Sequence, residues 1–453
     1  MRKQETVIVT FGLTSLRISF LYKYQYMPFS ALIVWGLTVR NYKSAFVAAT
    51  ILVAMTGCGG ESAVSPPNSA GVGSPPGAVA DTPTPSPTAV VVEPEAGDYV
   101  RAASLEGAAP LQAGFDVENG LVPAWGTGAI PSPYDTYEGA FRFTCSGNGD
   151  LAYDDPLLYP AQPGKSHLHH AWGNAKFDAS ITSESLAASS DTNCNDTSWS
   201  ANRSSYWMPA LVNDKGEAIR PDLVSVYYKR KTSASPFCDP KSSTFIGKCV
   251  GLPNKIRFIF GWDPTRPTAK VEGASWHCTG GTGQHYTNID DVFASGCKVG
   301  DDLIANTLAP NCWDGKYLDT PDHRSHMAYG SYGNWGYYKC PASHPYLIPQ
   351  EENKAMWTVT ADMIGPNGTS RVRLSSDDML PGAKPGETLH ADYMEAWVGT
   401  VKSMWLNNCI EKGLSCSGGD LGNGKQLIGA SQPTYGWTNP SPRSLVSAIS
   451  KTS

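Results

Sequence analysis

The sequence predicts a mainly β fold: a single disulfide-braced, β-sandwich-like domain with long loops and a C-terminal amphipathic helix. Three observations carry that expectation. Charged residues make up only 17% of the 453-residue chain, against about 25% in an average soluble protein, while 45 glycines and 34 prolines favour turns and strands over long helices. Short runs with strand character recur between clusters of Gly, Pro, Asn and Asp. Ten cysteines lie beyond an apparent export signal, the even count of a disulfide framework.

Residues 1–57 read as a leader. Arg40 and Lys43 precede an apolar run from Ala45 to Met55, and Thr56, Gly57 and Cys58 follow. A charged region, a short apolar core and a small residue make a secretory signal. The ending on Gly57-Cys58 is similar to a lipobox, in which the cysteine is diacylated and becomes the new N-terminus; Met55 stands where the usual pattern has Leu. The plainer alternative, a transmembrane helix, needs roughly 20 apolar residues, and the run is shorter. Val7 to Tyr22 and Ala31 to Val39 are themselves apolar, which a start codon placed too far upstream and a long leader explain equally. The expectation is an exported protein held to a membrane through Cys58, in the periplasm or at the cell surface.

Residues 58–96 form a Pro/Ser/Ala-rich tether, with Ser65-Pro66-Pro67, Ser74-Pro75-Pro76 and Thr82 to Pro87 as its stiffest parts. Such a composition buries too little apolar surface to fold and stays extended. The remainder, 97–453, is expected to be one domain.

Its cysteines are Cys145, Cys194, Cys238, Cys249, Cys278, Cys297, Cys312, Cys340, Cys409 and Cys416. None has the C-x-x-C spacing of a zinc ribbon or a thiol oxidoreductase. Pairing by proximity gives Cys145–Cys194, Cys238–Cys249, Cys278–Cys297, Cys312–Cys340 and Cys409–Cys416, although sequence alone leaves other connectivities open. Strand character is strongest over Ala140 to Thr144, Leu223 to Arg230, Lys255 to Gly261, Met356 to Ala361 and Thr369 to Leu374. One segment reads as a helix: after Asp392, the residues Met394, Trp397, Val398, Val401, Met404 and Trp405 fall at three- and four-residue steps, with an end near Asn408.

Several stretches together carry a resemblance. They are Phe141 to Cys145, Tyr153 to Pro156, Gln162 to His170, Gly173-Asn174, Ser205 to Leu211, Cys312 to Gly315, Asp322 to His326, Cys340 to Pro345 and His390 to Asp392. In order and chemistry they resemble domain of unknown function family 1996, found in secreted fungal and bacterial proteins, over nearly the whole of the expected domain. The family leaves its activity open. Fungal members are often joined to modules that bind wall carbohydrate, so the resemblance implies a polysaccharide-rich setting. His170 departs from relatives that carry an aromatic or aliphatic residue there.

All nine histidines lie between His167 and His390, most of them in compact motifs. In His167-Leu168-His169, alternation puts both imidazoles on one face of an extended segment. In His323-Arg324-Ser325-His326, a three-residue step puts two on one helical turn. The catalytic set expected is His167, His169, His323, His326, His390, Asp392, Asp155 and Asp322, able to supply an acid, a base or metal ligands. For one divalent ion the candidate ligands are His167, His169, His326 and His390. The alternatives are plain structural roles. Asp392 reads equally as a helix cap, Asp154, Asp155 and Asp322 as turn residues, His277 and His285 as structural or solvated groups, and His344 as a turn-bracing side chain.

Trp172, Tyr206, Trp207, Trp313, Trp335 and His344 are the candidate substrate-binding residues, because flat rings stack on sugar faces; a place in the core is the alternative for each ring. Aromatics crowd together from Tyr329 through Tyr332 and Tyr337 to Tyr338, among glycines that suggest an exposed loop. Gly-x-Ser-x-Gly, a Walker loop and a dinucleotide fingerprint are all missing. Glu is scarce near the histidines, against the usual glycosidase carboxylate pair. A formal net charge of −6 argues against nucleic acid as a partner. The function expected is an exported, lipid-anchored, monomeric enzyme that cleaves polysaccharide as a hydrolase or lyase through a His/Asp cluster. Two alternatives are a noncatalytic carbohydrate-binding or envelope-surface protein and a metal-dependent phosphodiesterase or nuclease.

Overall fold

The structure is a computed structural model. It describes residues 99–427 apart from 115, 125–129, 132–136, 175, 190–191, 195–200 and 333–337, together with the backbone of 6–13, 16–23, 35–38, 48–51, 130–131 and 445–446. Contacts divide the chain into units 1–90 and 91–453. In the first, four short strands pair in an antiparallel meander. The lipobox expected at Cys58 and the expected tether lie outside the described residues. Among those described, no helix is long and apolar enough to cross a membrane.

The second unit is mainly β and built on two sheets. The strands that matter are β1 (Glu138–Ser146), β2 (Leu151–Ala152), β3 (His169–Gly173), β4 (Ser205–Pro209), β5 (Leu223–Lys231), β6 (Arg257–Gly261), β7 (Ala274–Cys278), β8 (Asp302–Leu308), β9 (Gln350–Thr358) and β10 (His390–Met394). One sheet runs β7-β8-β9-β5-β1 and is completed at its edge by Leu414–Ser415 and Ile130–Pro131. The other runs β6-β10-β4-β3-β2, antiparallel throughout.

Side-chain alternation packs these sheets face to face. Phe141 and Phe143 of β1 and Val224, Val226 and Tyr228 of β5 join Trp172, Tyr206, Phe258, Phe260, Ala391 and Tyr393 of the second sheet in the main core. Buried hydroxyls are satisfied across the gap: Tyr206 and Tyr228 pair at 2.5 Å, and Tyr228 donates to Tyr393 at 3.1 Å. Every residue of β3, β4 and β10 is buried, so the outer face of the five-stranded sheet is also covered. Ala171, Trp207, Ile259 and Met394 on that face pack beneath Leu157 of the β2–β3 connection and Phe177, Ile181 and Leu186 of the β3–β4 connection.

All five disulfides form the proximity pairs, Cys145–Cys194, Cys238–Cys249, Cys278–Cys297, Cys312–Cys340 and Cys409–Cys416. Two elements differ from expectation. The strand placed at Met356 to Ala361 begins earlier, at Gln350, because its polar half is paired: Glu352 bonds Lys229 at 3.0 Å and Lys354 at 3.1 Å. The helix spans Gly399–Trp405, not the whole run after Asp392. Residues 390–394 are β10 instead, held between β6 and β4, and Asp392 caps nothing. Buried Glu395 organises the turn into the helix, accepting from Trp397 N at 3.1 Å, Lys255 N at 2.6 Å and Lys402 Nζ at 2.7 Å.

Candidate active site on the outer face of the five-stranded sheet

The outer face carries more than packing. Because alternate residues of a strand share a face, His169 lies on the same side as Ala171, and His390 and Asp392 on the same side as Met394. His169 is registered with Pro209, and Trp207 with Asp392. Carried two residues on, that register sets His390 across from Pro209, in the same row as His169. The two rings lean over the intervening strand to a centroid distance of 6.2 Å. His167, one step before β3, meets His169 at 4.1 Å and His390 at 5.1 Å.

Ring nitrogens of His167, His169 and His390 all lie within 4.8 Å of one another. His169 Nδ1 donates to the Asp154 carbonyl at 2.8 Å, and His390 Nδ1 to the Thr388 carbonyl at 2.8 Å. A carbonyl only accepts, so both Nδ1 atoms carry their protons and each neutral ring keeps its lone pair on Nε2. Burial, reinforced at His390 by the neighbouring His169, drives both imidazoles below their ordinary pKa, to about 3 for His390. They are neutral wherever the protein is folded at ordinary pH. Neutral rings oriented by backbone carbonyls are the form in which histidines bind a metal ion.

Two carboxylates complete the floor. Asp392 is buried and neither of its oxygens has a hydrogen-bond partner; burial, together with the charge of Asp155, pushes it well above the usual carboxylate range. Asp155 is equally buried, but its Oδ1 accepts from the amides of Leu157 and Leu158 at 2.9 Å each. It therefore holds a turn while its charge acts on both His169 and Asp392. Asp154 ties the loop down, accepting from Gly164 N at 2.8 Å and Ala179 N at 3.2 Å.

Above this floor opens a cavity of about 520 Å³ whose wall includes His167, His390, Tyr153, Tyr159, Trp262 and Arg324. A second, of about 880 Å³, adjoins it and shares Trp262, Pro264 and Arg324. The two form an extended cleft.

Other expected site residues are placed elsewhere. His323 and His326 do not share a helical turn: His323 has left-handed backbone, φ 51°, and its Nδ1 meets Asp319 at 2.7 Å. His326 is not a ligand, because both its nitrogens are used, Nδ1 with Thr320 Oγ1 at 3.0 Å and Nε2 to the Arg257 carbonyl at 3.0 Å. Together with Ile259 N donating to the His323 carbonyl at 2.8 Å, these bonds dock the whole turn on the free edge of β6. Asp322 knits that turn, taking Ser325 N at 2.9 Å and Arg324 N at 3.1 Å. Its desolvation is outweighed by these bonds, which bring its pKa down to about 2. Hence the motif's contribution to the first cavity is Arg324, between the two histidines, and Ser325 joins it on the wall of the second.

The aromatic candidates are corrected as well. Trp172 and Tyr206 face the inter-sheet core, Trp207 lies under Phe177, and Trp313 is buried with its Nε1 donating to Tyr317 O at 2.6 Å. None offers a face to a sugar, since each sits in an apolar layer. Trp335 and Tyr337 lie outside the described residues. His344 lines the second cavity and braces its loop through Ser343 Oγ and Ser325 O, both at 2.9 Å. His277 and His285 stack on each other at 4.5 Å, away from the cluster's residues. Trp262 and Tyr159 form wall that no motif signals, whereas Tyr153, Lys165 and Arg324 sit inside the quoted motifs without having been singled out.

No curated protein and no solved structure matches the chain. A family model described as Domain of unknown function (DUF1996) matches residues 155–397, over half of the chain and the stretch carrying His167, His169, Arg324, His390 and Asp392, and the chain belongs to that family.

Proposed function

We propose that the protein is an exported, lipid-anchored enzyme that cleaves polysaccharide, as a hydrolase or a lyase, at the His167–His169–His390 cluster with one divalent metal ion held by the three imidazoles. The observation that carries the reading is the convergence of three histidine nitrogens within 4.8 Å at the base of an open cleft. A tetrahedral ion with bonds of about 2.0–2.1 Å would draw those nitrogens to roughly 3.4 Å apart, a small adjustment for side chains. Three imidazoles leave a fourth position toward the cavity, the mark of a catalytic rather than a structural site. When bound, such an ion polarises a substrate oxygen or activates water. Asp392 and Asp155 lie buried beside the cluster, with the charge of Asp155 acting on both His169 and Asp392. Two adjoining cavities of about 520 and 880 Å³ support a substrate larger than a single sugar. Five disulfides support export to an oxidising compartment, and Cys58 supplies the anchor.

Two measurements on the purified full chain test this. Elemental analysis is expected to find one divalent ion per chain. A polysaccharide panel, read for both new reducing ends and unsaturated ends, is expected to reveal turnover that chelation abolishes. Turnover unaffected by complete removal of metal would overturn the role of the ion, and a panel without any cleavage would leave a binding protein.

A further inference from the structure

We propose that the cleft recognises a glycan whose sugars each carry a single negative charge, a uronate carboxylate or a sulfate ester, and that Arg324 binds that group. The substrate being a glycan rests on the reading above; its charge rests on separate observations. The protein as a whole is acidic, with a formal net charge of −6. Yet the charged residues on the wall of the first cavity are Lys165, Arg324 and Arg373 against one acid, Asp378. Asp378 is ion-paired with Arg373, so Lys165 and Arg324 are the cations left on that wall, which holds no further carboxylate.

Arg324 is built as a binding group. Its side chain is only 17% exposed and reaches both cavities. Nη2 donates to the Trp262 carbonyl at 2.9 Å and Nη1 to that of Gly261 at 3.4 Å, which fixes the plane of the guanidinium. Arg324 Nε also forms a long ion pair with Asp263 Oδ2 at 4.0 Å, beyond hydrogen-bond distance, so this contact takes none of its N–H donors. A guanidinium offers five N–H donors in a rigid fork suited to a planar anion, and two carbonyls do not exhaust them. Its charge also reaches His390 and Asp392, so an anion held by Arg324 would place the sugar it belongs to over the cluster. One buried arginine and one exposed lysine suit one charge per sugar better than a polyphosphate chain.

The test offers the full chain polygalacturonate, a sulfated galactan, a neutral galactan and single-stranded DNA. Cleavage is followed by new ends, and calorimetry follows binding of oligomers of each. At least tenfold preference for a charged glycan over the neutral one is expected in both readouts, and the first two polymers tell carboxylate from sulfate. Lys165→Glu, at an exposed position, is expected to raise KM and Kd for the charged glycan about tenfold while kcat changes less than twofold. Arg324→Lys should lower kcat/KM on it about a hundredfold and raise Kd for the charged oligomers about tenfold. Equal or better binding of the neutral galactan, or degradation of DNA alone, would overturn the proposal. Charged oligomers bound but never cleaved would keep the recognition and discard the catalytic reading; cleavage confined to neutral glycan would do the reverse.

Discussion

The imidazoles of His167 and His390 stand 5.1 Å apart and nearly perpendicular, at 79°. Neither comes from a local motif that contains the other. The pair exists because β10 enters the sheet beside β4, whose other neighbour is β3, and because the chain just before β3 folds back over the row that His169 and His390 share. The nitrogens of His167 and His390, with those of His169, lie within 4.8 Å of one another.

Removal of one ligand tests that common point. His167 is only half-buried, so His167→Ala is expected to fold while losing the ion and at least a hundredfold in kcat. Chelation should lower the stability of the parent protein and leave the variant unmoved. An ion present at a hundred times its Kd contributes about 2.7 kcal/mol, which denaturant titration with and without chelator resolves. Equal response of the two proteins would contradict the assignment.

Asp392→Asn keeps volume and shape in a position where the carboxyl has no protein partner. Stability is therefore expected to change by less than about 1 kcal/mol, while turnover falls 10²- to 10³-fold if the carboxyl transfers a proton. Full activity in the variant would assign Asp392 a purely structural place. Calorimetric melting and kcat on the same preparation separate the two outcomes.

Much of this architecture is legible in the chain, but unevenly. Composition predicts the β class, and joining each cysteine to its neighbour along the chain reproduces the five disulfides, a pattern that sequence left as one of several because the loops closed range from 7 to 49 residues. The alternation His167-Leu168-His169 places two imidazoles correctly, since period two is local information. What the sequence hides is long range. β10 looks like the start of a helix because Met394, Trp397, Val398 and Val401 keep helical spacing across a strand and a turn, and only the neighbours β6 and β4 decide otherwise. His326 looks like a ligand until the free edge of β6 is known to need its bond. Arg324 looks like a spacer between histidines, and its direction follows from how that turn docks.

The buried rings make a sharp contrast with the exposed ones. Trp172, Trp207 and Trp313 are at most 1% exposed, so replacing any by Ala should cost about 3–5 kcal/mol and appear as a lowered melting temperature or failed expression. Tyr332 and Tyr338, 67% and 65% exposed, face each other at 5.4 Å on a hairpin. Their double replacement by Ala should leave melting unchanged and weaken retention on insoluble polysaccharide a few-fold, through lost stacking. Unchanged retention would confine glycan contact to the cleft.

Acid should unfold the protein partly through His326. Burial, the dominant cause, lowers its pKa from 6.5 to about 4, against the opposing charge of Asp319. The unfolded chain thus binds a proton that the folded one refuses between those values. With ν_U greater than ν_N in that window, stability rises with pH across it and is lost as pH falls from about 6.5 to about 4. A shift of this size corresponds to on the order of 3 kcal/mol. His326→Gln, which keeps polar atoms but cannot titrate, should be less stable than the parent at pH 7, where two hydrogen bonds are disturbed, and should lose less on going to pH 4.5. Urea unfolding of both proteins at the two pH values measures the difference of differences, in which other titrating histidines cancel. A loss equal in parent and variant would show that the acid sensitivity resides elsewhere.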